Sequence, residues 1–155
     1  MTRWLDAKER QTCLSLAAMV INLSNALDAQ LQHDAGISHF EYQVLATLSE
    51  ATERTMRMSD LAAVTNGSLS RLSHVVKRLE KQGWGRRTPA PDNGRYTLAV
   101  LTETGWEKVV ATAPGHVEEV RRLVFDPLTQ AQQRTLRTIG HRVNQAIDPT
   151  GTCQE

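Results

Sequence analysis

This sequence predicts a mainly α-helical chain with one small β-hairpin, on three observations. Apolar residues recur at helical spacing over most of the 155 residues, and serine or threonine caps precede several of the runs. Two short strand-like runs flank Pro89-Ala90-Pro91-Asp92-Asn93-Gly94, whose Pro and Asn-Gly punctuation marks a protruding loop. Positive charge gathers between Leu69 and Arg95, although the chain as a whole carries a formal charge of only +1.

The elements follow in order. Over residues 1–34 a first helix carries a stripe of Leu16, Val20, Leu23, Leu27 and Leu31. Ala17, Ala18, Met19 and Ile21 spread apolar surface around the same cylinder, so it must be covered on more than one side. Ser38-x-x-Glu41 is a capping box opening a helix over Phe40 to Ser49, with Tyr42, Val44, Leu45 and Leu48 facing inward beneath the basic region. Ser59 is the expected N-cap of a short helix from Asp60 to Val64. Thr65-Asn66-Gly67 breaks it, with Gly67 expected to take positive φ. Ser68 then caps a helix over 68–82, closed by Gly83, whose stripe of Leu69, Leu72, Val75, Val76 and Leu79 should be buried.

The other face of that helix carries Ser70, Arg71, Ser73, His74, Lys77, Arg78 and Lys81, donors suited to phosphate oxygens and base edges. A solvated face normally mixes signs. Between Leu69 and Arg95, however, Arg71, Lys77, Arg78, Lys81, Arg86, Arg87 and Arg95 face only Glu80 and Asp92. Such concentration is what phosphate neutralisation requires. Arg71, nearest the helix N-terminus, is the expected base-reading residue, because its fork can bond bidentately to guanine O6 and N7. The hairpin over 85–101 should present Arg95 to a narrow minor groove. Short helix, turn, basic helix and hairpin over 35–105 are the parts of a winged helix-turn-helix, with a recognition helix and a wing. An acidic protein partner for the basic helix, without DNA binding, is the alternative reading.

Thr102 caps a helix over Trp106 to Thr112, and Pro114-Gly115 should kink or interrupt it before Val117 to Phe125. Thr129-x-x-Gln132 is a second capping box, followed by a stripe of Leu136, Ile139, Val143 and Ile147. Residues 1–34 and 106–148 therefore both carry more apolar surface than one chain of this size can cover, which predicts a homodimer built from these helices. Residues 149–155 read as a flexible tail, with Cys153 exposed and incidental.

The run from Leu69 to Gly105 resembles the recognition helix and wing of the multiple-antibiotic-resistance regulator (MarR) family. Leu79, Glu80 and Gly83 meet its Leu-Glu-x-x-Gly pattern, Arg86 or Arg87 its following arginine, and Leu101, Thr102 and Gly105 its Leu-Thr-x-x-Gly. The family's wing arginine falls on Arg95. Its wing aspartate falls on Asn93, with Asp92 one residue early, and Gly94 replaces a commonly basic residue. The resemblance implies a homodimeric transcriptional regulator, expected to be a repressor, that binds a pseudopalindromic duplex through Ser68, Ser70, Arg71, Ser73, His74, Lys77, Arg78 and Arg95. It also implies a small-molecule effector pocket between the dimerisation helices and the DNA-binding lobe, for which His33, His39, Phe40 and Trp106 are the lining candidates. One branch of the family senses hydroperoxides through a first-helix cysteine held by tyrosines; Cys13 lies in that region, in a helix without tyrosine.

Other classes find less support. The chain contains no His-Glu-x-x-His, Gly-x-Ser-x-Gly, phosphate-cradling glycine loop or Cys-x-x-Cys, so neither an enzyme nor a cofactor is expected. His33, Asp34 and His39 could meet at a zinc ion, but their spacing matches no standard site. With 5% aromatic residues, single-strand binding by base stacking has few platforms. The apolar stretch Leu14 to Leu23 is too short to span a bilayer, and the first residues lack a secretory apolar region. A cytoplasmic location is expected.

Overall fold

The structure is a computed structural model and describes residues 1–151, so Cys153 and the end of the expected tail lie outside the described residues. Helix α1 (Ala7–Ala35) opens on Asp6, whose carboxylate accepts from the Lys8 and Glu9 N–H groups at 2.7 and 2.8 Å. Helix α2 (His39–Glu50) opens on the Ser38–Glu41 box: the Ser38 hydroxyl accepts from Glu41 N–H at 3.0 Å and the Glu41 carboxylate from Ser38 N–H at 2.6 Å. A 3-10 turn (Thr52–Arg54) leads through strand β1 (Thr55–Arg57) into α3 (Met58–Val64) and α4 (Leu69–Gln82). Strands β2 (Gly85–Pro89) and β3 (Thr97–Leu101) form the hairpin, followed by α5 (Glu103–Val120), a π-helical segment (Arg121–Phe125) and α6 (Gln130–Ile147).

The strands form one antiparallel sheet in the order β1-β3-β2, with Thr55 opposite Val100 and Arg87 opposite Ala99. Strand β1 is an addition to the expected hairpin. Three residues are too few to display alternation, and Thr55–Arg57 is a strand only because β3 pairs with it.

One core unites α2, α3, α4 and the sheet. Leu31, Ile37, Val44, Leu45, Leu48, Leu61, Leu72, Val76 and Leu79 are essentially inaccessible to solvent, and Val109 of α5 closes the cluster. Each such side chain contributes about 1.5–3 kcal/mol on burial. The close fit dictates two glycines. A Cβ on Gly105 would lie 2.0 Å from the Trp84 carbonyl oxygen, and one on Gly67 would lie 2.7 Å from Cζ of Phe40.

Several expectations are corrected. Gly67 does not take positive φ; Asn66 does, at 52°, and Gly67 is needed for the approach of the Phe40 ring. Ser59 is not the cap of α3, because β1 delivers the chain straight into the helix at Met58, with Arg57 as a cap lacking a side-chain bond. Leu69 is 56% exposed, since the first turn of α4 overhangs the lobe; periodicity cannot show where a helix leaves its support. Helix α5 starts at Glu103 and runs through Pro114 without interruption. Its irregularity comes later, where Asp126 N–H bonds the Arg121 carbonyl, five residues back, at 2.9 Å.

The two ends of the chain differ from this lobe. Of the stripe on α1 only Leu27 and Leu31 are buried, while Leu14, Leu16, Met19, Val20 and Ile21 are exposed. No residue of α6 is buried, and Ile139, Val143 and Ile147 are exposed. Taken whole, α1 has an 18-residue window of mean hydropathy 1.3, so it is long and apolar enough to cross a membrane, contrary to the reading of Leu14 to Leu23 alone. Its length adds flanking alanines and leucines that the short stretch omits.

Candidate nucleic-acid interface

Helix α4 holds the candidate DNA-contacting residues by its own local chemistry. The Ser68 hydroxyl caps it, accepting from Arg71 N–H at 3.1 Å, and Gly83 closes it in the left-handed conformation at φ 76°. Leu72, Val75, Val76 and Leu79 anchor one face in the core. The helix therefore presents Ser68, Ser70, Arg71, His74, Lys77 and Arg78 to solvent. Spacings of three and four residues bring Arg71, His74, Lys77 and Arg78 to one side, as expected.

The cations on this surface are not equivalent. Arg78 is tied by Nη2 to the Glu41 carboxylate at 2.9 Å, and Glu41 is itself buried in the α2 cap. Arg87 grips Glu80 through Nε and Nη2 at 2.9 and 3.1 Å, and its Nη1 donates to the Ser73 hydroxyl at 3.3 Å. The Arg87 guanidinium holds the Glu80 carboxyl below the usual carboxylate range. Ser73 is thus half-buried and engaged with the base of the wing, unlike the freely presented donor expected from the sequence. Arg71 differs again: its guanidinium carbon lies 3.9 Å from the centroid of the Phe40 ring.

The wing loop closes through Tyr96 N–H to the Asn93 carbonyl at 3.1 Å and Ala90 N–H to the Tyr96 carbonyl at 2.9 Å. Asn93, at the family's aspartate position, accepts from the backbone N–H of Arg95 at 3.1 Å, so it braces the arginine's backbone. Arg95 is exposed at the tip. Arg57, which no motif or spacing singles out, stacks 4.1 Å from the Tyr96 ring centroid and adds a cation beside the wing. It reaches the wing only because β1 pairs with β3.

The four effector-pocket candidates do not come together. His33 is exposed and pairs with Asp34 at 2.8 Å. Trp106 packs against the core with Arg54 stacked 4.2 Å from its ring centroid. His39, in contrast, lies 5.8 Å from His116 of α5 by ring centroids, and Tyr42 lies 4.5 Å from His116. This trio lines a cavity of about 580 Å³ with Gln43, Glu50 and Asn66. His39 also lines a second cavity, of about 430 Å³, together with Phe40, Asp28 and Arg71. Burial pushes both imidazoles below the ordinary histidine value; Asp28 partly offsets this at His39, whereas His39 adds to it at His116. Burial, and then Glu50, pushes the Tyr42 phenol up.

Among the described residues no group of three or more His, Cys, Asp or Glu is placed to hold a metal ion. His33 with Asp34 and His39 with His116 form separate pairs. Cys13 is an exposed free thiol on the outer half of α1.

Comparison with known proteins agrees with this geometry. The sequence profile of the MarR family matches residues 37–97, the span from the end of α1 into β3. Over the whole fold the chain resembles Sco3205, a MarR family transcriptional regulator from Streptomyces coelicolor solved in complex with DNA. Identity is 43%, coverage is 97% of this chain and 94% of that one, and the TM-score is 0.94. AbsC, another MarR family regulator of the same organism, is 34% identical over 96% of this chain and 100% of its own, with a TM-score of 0.91. Among curated relatives, the uncharacterised HTH-type regulator YdcH of Bacillus subtilis is 32% identical over 91 residues, which span 57% of this chain and 61% of YdcH. The HTH-type regulator PecS of Dickeya dadantii is 25% identical over 92% of this chain and 86% of PecS. A capped basic helix, a three-stranded wing sheet and close likeness along nearly the full length of two such regulators lead to one assignment: the chain is a member of the MarR family of DNA-binding transcriptional regulators.

Proposed function

We propose that the protein is a homodimeric repressor that binds a pseudopalindromic duplex through α4 and the wing and is released by a small-molecule effector. The observation that carries this reading is the exposed, cation-bearing face of α4, on which Arg71, His74 and Lys77 stand clear of the ion pairs that occupy Arg78 and Arg87. Arg71 reads a base edge; Ser68, Ser70, His74, Lys77 and Arg78 bind phosphates or neighbouring bases; Ser73 supports Arg87; Arg95 enters the minor groove.

Dimerisation is supported by the uncovered helices. An 18-residue helix with no buried residue gains little from its own backbone, because helical stability in proteins comes mainly from packing of an apolar face. The apolar faces of α1 and α6, and the groove of about 510 Å³ lined by Met19, Leu23, Leu123, Val124, Leu128 and Leu136, are assigned to a second copy of the chain. The apolar surface of α1 is accordingly read as covered by protein, with DNA binding in the cytoplasm. Two copies of α4 then enter successive major grooves about 34 Å apart. A ligand seated among His39, Tyr42 and His116 lies between α2 and α5, so preference for one spacing of the heads weakens DNA binding by its affinity ratio for the two forms.

The test uses a duplex selected by the wild-type protein from a random-sequence pool. Arg71→Ala is expected to cost about 1–3 kcal/mol on that duplex and to relax preference at one base pair, whereas Lys77→Ala weakens all duplexes alike. Unchanged site preference in Arg71→Ala removes the assigned reading residue.

A further inference from the structure

We infer that Phe40 is a positioning residue for sequence reading: its ring fixes the plane of the Arg71 guanidinium while leaving that group's N–H donors free for a base edge. This rests on the reading of Arg71 given above, and it concerns a residue of α2 that would otherwise count as core packing.

Three observations carry it. The Arg71 guanidinium carbon lies 3.9 Å from the Phe40 ring centroid, within range of a cation–π stack. Among the described residues the Arg71 side chain makes no hydrogen bond or ion pair, whereas Arg78 and Arg87 each give donors to a carboxylate. The ring is itself closely packed. It is 7% exposed, it belongs to the core cluster, and Gly67 in the turn before α4 approaches so closely that a Cβ there would meet Cζ at 2.7 Å.

The physical consequence follows from how an arginine reads a base. Its five donors lie in the guanidinium plane, and bidentate recognition needs two of them aligned with the base edge. A carboxylate partner would fix that plane but occupy those donors. An aromatic face fixes it from above and occupies none of them. An arginine held this way loses less side-chain freedom on binding than one that must be ordered by the DNA, which favours the correct base without strengthening phosphate contacts. Phe40 therefore contributes to discrimination between sequences more than to general affinity.

The experiment compares wild type, Phe40→Leu, Arg71→Ala and the double variant on the selected duplex and on an unrelated duplex of equal length. Phe40→Leu is expected to bind the selected duplex about three- to tenfold more weakly and the unrelated duplex unchanged. In the Arg71→Ala background, Phe40→Leu is expected to have no further effect. Equal weakening on both duplexes, or an effect that persists without Arg71, overturns the inference and leaves Phe40 a packing residue. Arg71→Ala without effect on preference overturns instead the reading on which the inference rests.

Because Phe40→Leu removes core volume, a second measurement is made on the wild-type protein. NMR of the Arg71 side chain is expected to show upfield ring-current shifts both free and in the complex with the selected duplex. Loss of those shifts when DNA binds means that the stack is released for reading, and it overturns the proposal.

Discussion

The lobe from Ile37 to Leu101 and the two helical ends of the chain follow the same helical periodicity but reach opposite states. In the lobe, the stripes of α2, α3 and α4 converge with β3 on one core, and Val44, Leu45, Leu61, Leu72 and Val76 are almost fully buried. At the ends, Leu16 and Val20 on α1 and Ile139 and Val143 on α6 repeat at equally regular spacing and remain exposed. The difference teaches that an amphipathic pattern specifies a face to be covered, without saying whether the cover lies in the same chain.

Four substitutions break or sharpen that contrast. Leu45→Ala, at the centre of the lobe, is expected to cost about 2–5 kcal/mol in denaturant unfolding, because it leaves a cavity among residues that cannot collapse into it. Val20→Asp, on the uncovered face of α1, is expected to leave the secondary structure of the lobe intact by circular dichroism. It should nevertheless weaken self-association by about 2–3 kcal/mol in sedimentation equilibrium, since a charge would be buried in the proposed interface. If Val20→Asp leaves association unchanged, that face is not the interface.

Gly67→Ala probes the edge of the lobe. The added methyl would meet the Phe40 ring, so a loss of about 1–3 kcal/mol in thermal or denaturant unfolding is expected, from overpacking. The smallest effect belongs to Glu80→Gln, which removes the ion pair with Arg87 at the base of the wing and should cost less than about 1 kcal/mol at neutral pH. The Glu80 carboxyl is held low in the folded chain, so its contribution is present above the ordinary carboxylate range and disappears as the pH falls through its folded value. Wild type and variant should therefore converge in acid unfolding curves; a difference that persists there would assign the effect to packing.

Much of the winged lobe was legible in the chain because its signals act over one or two turns. Ser38 with Glu41, Ser68, Thr102 and Thr129 with Gln132 all cap helices as their types and spacings suggest. The hairpin and its turn-rich loop were equally plain. What escaped was set by partners far along the chain. Strand β1 exists through its pairing with β3, and Arg57 joins the wing surface for that reason. Ser73 faces Arg87, fourteen residues away, and the basic face of α4 is sorted into tied and free cations by Glu41 and Glu80. For the effector pocket, His39 and Phe40 line cavities, whereas His33 pairs with Asp34 at the surface and Trp106 packs against the core. His116 and Tyr42 complete the larger cavity through a contact between α2 and α5 that no spacing along the chain encodes.

By itself, then, the sequence determined which segments are helical, most of the residues that cap them, and that a basic helix precedes a wing, because capping, periodicity and turn chemistry are settled between near neighbours. Only the tertiary structure decided which arginines stand free, why Gly67 must be glycine and which apolar faces stay bare. Those properties depend on side chains brought together by folding from opposite ends of the lobe, where distance along the chain carries no information about distance in space.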